Sequence, residues 1–249
     1  MQECVDYGRY KLSVKEELRC IGISLGLATC VAWLLYKSFW GLLTWAVIFP
    51  IYRHNYRCMQ IENRKRALLL QFKEVMQSVV VALIAGFSVE NAWLEGQKEL
   101  EMLYGNGSHM AEEMRVMNAK IRMNQPVEQV FYQFALRSRC EDIIEFAEVF
   151  RFAKRSGGDF AKIIQNTIQH ISQKIEVERE IEVVLAGKKM EQRIMNIVPV
   201  GLLVYLNLTS KEFLAPLYGN LFGACIMTAA LGGYISALIL ARKMINIKV

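Results

Sequence analysis

The chain has 249 residues, 53% of them hydrophobic, and a formal net charge of +6; its mean hydropathy is +0.21 and its pI near 9.0. Charged residues make up 22% of the chain yet almost vanish from three stretches, which excludes an evenly patterned soluble domain and points to a membrane protein with one sizeable aqueous part. The 6 cysteines form no CxxC pair and stand at no ligand spacing from a histidine, so neither a zinc site nor a disulfide framework is indicated.

Residues 1–19 mix acidic and basic side chains and read as an amphipathic or loose cytoplasmic lead-in, not as a cleavable signal peptide. From Cys20 to Tyr52 the only charged residue is Lys37. One helix of that length would rise about 50 Å, well beyond a hydrocarbon core of roughly 30 Å. The stretch is therefore expected to be a transmembrane hairpin, residues 20–52, with short spans at 20–36 and 39–52 turning at Lys37 and Ser38. Trp33, Tyr36, Phe39 and Trp40 cluster at that turn as an interfacial aromatic belt would. Gly22 and Gly26, four apart, would permit close helix approach.

Residues 53–193 are expected to form a cytoplasmic domain of about six helices. The segment has a single proline, Pro126, and apolar residues at three- and four-residue spacing, as at Ile164, Ile168, Ile171 and Ile175. Three junctions share a layout in which a residue tolerant of positive φ ends one helix and a cap starts the next. These are Gly86 with Ser88, Asn124 with Pro126 at the first helical position, and Gly157 and Gly158 with Asp159. A further turn is marked by the run from Tyr104 to Ser108. The last helix is expected to run from near Asp159 towards the next apolar stretch.

A second transmembrane hairpin is expected at 194–241, with spans near 194–208 and 218–241. Pro199 lies in the first, where neighbouring groups can satisfy the freed carbonyl. Ala229, Gly233 and Ala237 give the second a smooth face, suited to packing within the monomer or to another membrane subunit. A tail, 242–249, follows. Arg53, Arg57, Arg64, Lys65 and Arg66 follow the first hairpin. Lys188, Lys189 and Arg193 precede the second, and Arg242, Lys243 and Lys248 follow it. The opposite turns offer only Lys37 and Lys211, so the positive-inside rule puts both termini and residues 53–193 in the cytoplasm. Topology and anionic membrane lipid account for these cations more simply than nucleic acid does.

No phosphate-binding glycine loop is present, and nothing assembles a nucleophile, base and oxyanion donor. Gly157 and Gly158 read as a tight turn before a ligand loop. His54, His109 and His170 lie in no catalytic motif and read as solvated or partly packed side chains. Met102, Met110, Met114, Met117 and Met123 read as adaptable packing. Glu141, Glu145 and Glu148 line one helix face with Asp142 beside them. Such a stripe is more often a solvated face, here with Arg137, Arg151 and Lys154 near enough to neutralise it. It could also hold a divalent cation or meet a basic partner.

A basic stretch after an apolar hairpin, the run Ala85 to Ala92 (AGFSVENA), Asn124 to Glu128 (NQPVE), Ser156 to Phe160 (SGGDF) and a span bearing Pro199 together resemble the type II secretion F family, over about residues 60–249. One copy of the helical module behind an N-terminal hairpin is similar to the TadB-like platform proteins of Tad (Flp) pilus systems. Asn124 departs from the family's usual glycine, at little cost because Asn tolerates the left-handed region. The resemblance implies an all-α, polytopic protein of the cytoplasmic (inner) membrane with about four transmembrane helices. It would be a non-enzymatic assembly platform, without catalytic residues or cofactor, coupling a cytoplasmic secretion ATPase to the insertion of pilin into a filament. Its single module implies pairing with itself or with a second, TadC-like platform subunit, and the stripe Glu141, Glu145 and Glu148 is then the candidate ATPase contact. A membrane sensor or receptor signalling through its helical domain is the other reading, although two small turns leave little room for an external ligand domain.

Overall fold

The computed structural model describes residues 6–8, 10, 12–36, 45–156, 159–209 and 221–245, and no strand occurs among them. The helices are α1 (Val14–Val31), continued by a π-helical turn Ala32–Tyr36, α2 (Trp45–Ile84), α3 (Val89–Tyr104), α4 (His109–Arg122), α5 (Val127–Ser138), α6 (Glu141–Ser156), α7 (Phe160–Thr209) and α8 (Leu221–Ile245). They fall into two compact units. One comprises the described part of Met1–Lys11 with Arg57–Glu176; the other comprises Leu12–Tyr56 with Val177–Val249.

The first unit is built on aromatic packing. α2 contributes Leu68, Phe72, Val75, Met76 and Val79, α5 contributes Phe131 and Phe134, and α6 contributes Phe146 and Phe150, all essentially inaccessible to water. Phe131 sits at the middle, its ring centroid 5.2 Å from Trp93, 5.5 Å from Phe150, 5.8 Å from Phe146 and 5.9 Å from Phe72. These residues recur at three- and four-residue spacing, so each helix buries one stripe and leaves the other wet. Gly96 lets α3 approach α2, since a Cβ there would stand 2.8 Å from Val79 Cγ2.

Helix ends follow local chemistry. Gly86 closes α2 at φ 89°, and Ser88 caps α3, its hydroxyl accepting from the Asn91 amide at 3.3 Å. Gly105, at φ 74°, ends α3, and Ser108 accepts from the Ala111 amide at 3.3 Å to start α4. Asn124 takes φ 62° after α4. Pro126 is the cap of α5, with its carbonyl accepting from Val130, whereas the sequence reading puts it one position later, as the first helical residue. Asp159 accepts from the Lys162 amide at 3.2 Å to start α7. Gly157 and Gly158 lie outside the described residues. Between α5 and α6 the chain reverses at Arg139, φ 49°, a left-handed residue that no glycine or asparagine announces.

By length and composition, two helices are apolar enough to cross a membrane, Val14–Leu34 and Ile48–Ile84. In the second, Leu68, Phe72, Val75, Met76, Val79 and Val80 belong to the aromatic core, so that stretch is already covered by protein. The expected hairpin border at 52 and the expected border at 193 both fall inside continuous helices, α2 and α7. Of the expected span 39–52, residues 39–44 lie outside the described set and the rest begins α2.

In the second unit α1 packs small residues inward and large ones outward, while Leu34 and Met227 are also buried. α1 buries Cys20, Ser24 and Ala28, while Ile21, Ile23, Leu25 and Leu27 are exposed. This corrects the expectation for Gly22 and Gly26, where a Cβ would have nothing within 4 Å. The close-approach face is the neighbouring small stripe, because a helix spaces it by four residues just as it does the glycines. Polar bonds tie the helices together: Trp45 Nε1 donates to Ser24 Oγ at 3.2 Å, and Asn207 Nδ2 to the Leu34 carbonyl at 3.4 Å. Arg53 pairs with Glu17 at 2.5 Å. The Tyr234 hydroxyl donates to the Asn196 carbonyl at 2.5 Å, on α7 three residues before Pro199.

Candidate functional site

α6 begins after a turn held by Ser138, whose hydroxyl accepts from the Cys140 amide at 3.2 Å. Glu141 and Asp142 stand in its first turn and Lys154 and Arg155 in its last, each sign complementing the helix dipole. Ile143, Phe146, Ala147, Phe150 and Ala153 bury one face. Directly opposite, on the exposed face, lie Glu141, Glu145 and Glu148, as the sequence reading groups them. Phe152 takes the next place in the same row and is 72% exposed, flanked by the exposed Arg151 and Arg155. Sequence reasoning missed this aromatic, which the four-residue step from Glu148 would have found.

The three cations expected to neutralise the stripe are engaged elsewhere. Arg137 pairs with the buried Glu113 at 2.7 Å. Lys154 lies 2.7 Å from Glu128 and 3.9 Å from Glu90, joining the starts of α5 and α3 to the end of α6. Arg151 stacks over the Tyr132 ring at 4.9 Å. Asp142, beside the stripe, is taken by Lys174 at 2.6 Å. Glu141, Glu145 and Glu148 thus face solvent without an ion pair to any described residue. No group of three His, Cys, Asp or Glu side chains among the described residues is placed to hold a metal ion.

A second constellation went unseen in the sequence. Tyr7, in the segment expected to be loose, is 1% exposed and belongs to the core of the first unit. Its amide donates to the Arg137 carbonyl at 3.3 Å, its hydroxyl to the His109 carbonyl at 3.4 Å, and its ring meets the His109 ring edge-on at 6.0 Å. Asp6 accepts from the Gly8 amide at 2.9 Å and pairs with Arg139 at 3.2 Å, so the segment clasps the left-handed turn before α6. Lys65 donates to the Arg139 carbonyl at 2.6 Å from the other side. Burial, and then the Glu113 and Glu112 charges, push the Tyr7 hydroxyl well above the usual phenol range.

Other candidate residues are dispersed. His54 and His170 are exposed, and Met110, Met114 and Met117 are core while Met102 and Met123 are exposed. Ala229, Gly233 and Ala237 are exposed on α8, and a Cβ at Gly233 would have nothing within 4 Å. Pro199 lies within α7 beside the Tyr234 contact. No protein-family model, no curated protein and no solved structure matches this chain.

Proposed function

We propose that the chain is a non-enzymatic, multi-pass platform of the cytoplasmic membrane, whose helical unit binds a secretion ATPase and whose membrane helices act on pilin entering a Tad-type filament. What supports it is the contrast in where large apolar side chains go. In the first unit a contiguous aromatic cluster is enclosed, with Phe72, Phe131, Phe146 and Phe150 at 1% exposure or less, while single apolar side chains such as Phe87, Leu103 and Phe152 stay exposed. In α1, the later part of α7 and α8 they point outward: Trp33 at 55%, Ile197 at 67%, Leu202 at 59%, Phe222 at 79% and Ile239 at 61%. Water penalises such a surface and lipid accepts it, while the interhelical bonds of Asn207 and Tyr234 satisfy polar groups that lipid would leave bare.

On this reading residues 20–36, 39–52, 194–208 and 218–241 are four spans, with both termini cytoplasmic. α7 is helical from Phe160 to Thr209 without a break, which suits a part that carries displacement along its length. The test is purification of the tagged full chain from its native membrane. A secretion ATPase should accompany it, deletion of the chain should abolish filaments while pilin is still made, and the purified chain should not hydrolyse nucleotide. Filaments formed without it, or hydrolysis by the chain alone, would sink the proposal.

A further inference from the structure

We propose that the exposed face of α6 is a self-complementary interface whose occupant is the α6 of a second copy of this chain, antiparallel and related by a two-fold axis. This rests on the platform reading only in that the module is expected to work in pairs. Along one solvent-facing row the charge changes sign: Glu141, Glu145 and Glu148 occupy the first half, and Arg155 and the exposed Arg151, which keeps its charge while lying over the neutral Tyr132 ring, flank Phe152 in the second. A row that is acidic at one end and basic at the other is complementary to itself when reversed. An antiparallel arrangement sets the acidic half of each helix against the basic half of the other, which is the requirement of an isologous contact. A parallel arrangement would set like charges together.

Two further features fit that occupant. The acidic half has no ion pair to a described residue, because Arg137, Lys154 and Lys174 are held by Glu113, Glu128 and Asp142. Phe152, at 72% exposure, supplies the apolar contact that exposed charge pairs lack. Such pairs are individually weak, so they set register and partner choice while the aromatic adds affinity. Raising ionic strength should therefore loosen the contact.

The test uses two differently tagged copies of the full chain, co-expressed in the native membrane and captured through one tag. One variant carries Glu141→Lys, Glu145→Lys and Glu148→Lys, making the row basic throughout; another carries Arg151→Glu and Arg155→Glu, making it acidic throughout. Each variant should lose association with itself by about tenfold or more, since a two-fold contact repeats every pair. Mixing the two variants should restore association, a rescue that damage to folding cannot produce. Copy–copy association unchanged in both variants, or no rescue on mixing, overturns the inference. Loss of the secretion ATPase with copy–copy association intact also overturns it, reassigning the face to the ATPase and leaving the platform reading standing.

Discussion

Tyr7 makes the largest single-residue difference between what patterning reveals and what packing does. A buried side chain in a non-helical segment belongs to no three- or four-residue repeat, so periodicity is blind to it. Arg139 escaped for a related reason: an ordinary residue at φ 49° gives no compositional signal, whereas Gly86 and Asn124 announce their left-handed positions. Truncating Tyr7 to Ala should cost on the order of 3 kcal/mol, while Tyr7→Phe, losing only a long bond to the His109 carbonyl, should cost under about 1 kcal/mol. Thermal unfolding of the full chain in detergent, followed by near-ultraviolet dichroism, separates the two. Equal losses would mean that the hydroxyl, not the ring, holds the segment. His109 adds a pH dependence. Burial first, then the Arg64 charge, hold its imidazole below the ordinary 6.5, against an opposing pull from Glu112. The unfolded chain therefore binds the proton more readily than the folded one. Stability should be full above the ordinary value and fall as pH drops through it, levelling once the folded imidazole is also protonated. His109→Gln should flatten that slope; a slope unchanged in the variant would assign the acid sensitivity to other groups.

Helices, as elements, were legible wherever an apolar stripe meets a core. The residues of α7 at Ile164, Ile168 and Ile171 do so, and the turns around α3, α4 and α5 carry their own caps. Hydropathy, in contrast, locates a change of solvent and not a change of backbone, so borders drawn at 52 and 193 fell within continuous helices. It also cannot tell which small residues face a neighbour when two stripes share the same spacing, as on α1. There the buried row is Cys20, Ser24 and Ala28. Ala28 is 0% exposed, so Ala28→Leu should overpack the contact and cost about 1–3 kcal/mol. Gly22 is open, so Gly22→Ala should be neutral or stabilise the helix by up to about 1 kcal/mol. Thermal aggregation of the detergent-solubilised chain ranks these variants, and a Gly22→Ala as harmful as Ala28→Leu would reverse the assignment of faces. The acidic row on α6 was legible as spacing; its lack of partners was not, because which of several nearby cations pairs with which carboxylate is decided by tertiary placement of Glu113, Glu128 and Tyr132.

At the scale of the whole chain, two kinds of packing coexist in one sequence: Arg57–Glu176 encloses aromatics, while much of Leu12–Tyr56 and Val177–Val249 turns large aliphatic side chains outward. The same contrast makes a topological prediction that stands apart from any assignment of partners. If the outward apolar faces contact lipid, the cations flanking them choose the side, because Lys and Arg near span ends are retained in the cytoplasm. In the sequence Arg53, Arg57, Lys188, Lys189 and Arg193 border the segment expected to be cytoplasmic, whereas the stretches expected to face the other side offer only Lys37 and Lys211, which lie outside the described residues. In a variant lacking the native cysteines, a cysteine at the exposed Gly107 should resist a membrane-impermeant thiol reagent in intact cells and react after lysis. Cysteines introduced at Ser38 and Ser210, which lie outside the described residues, should react in intact cells. Reaction at Gly107 before lysis would invert the orientation, put the helical unit beyond the reach of any cytoplasmic ATPase, and leave the apolar helices to be explained without the platform.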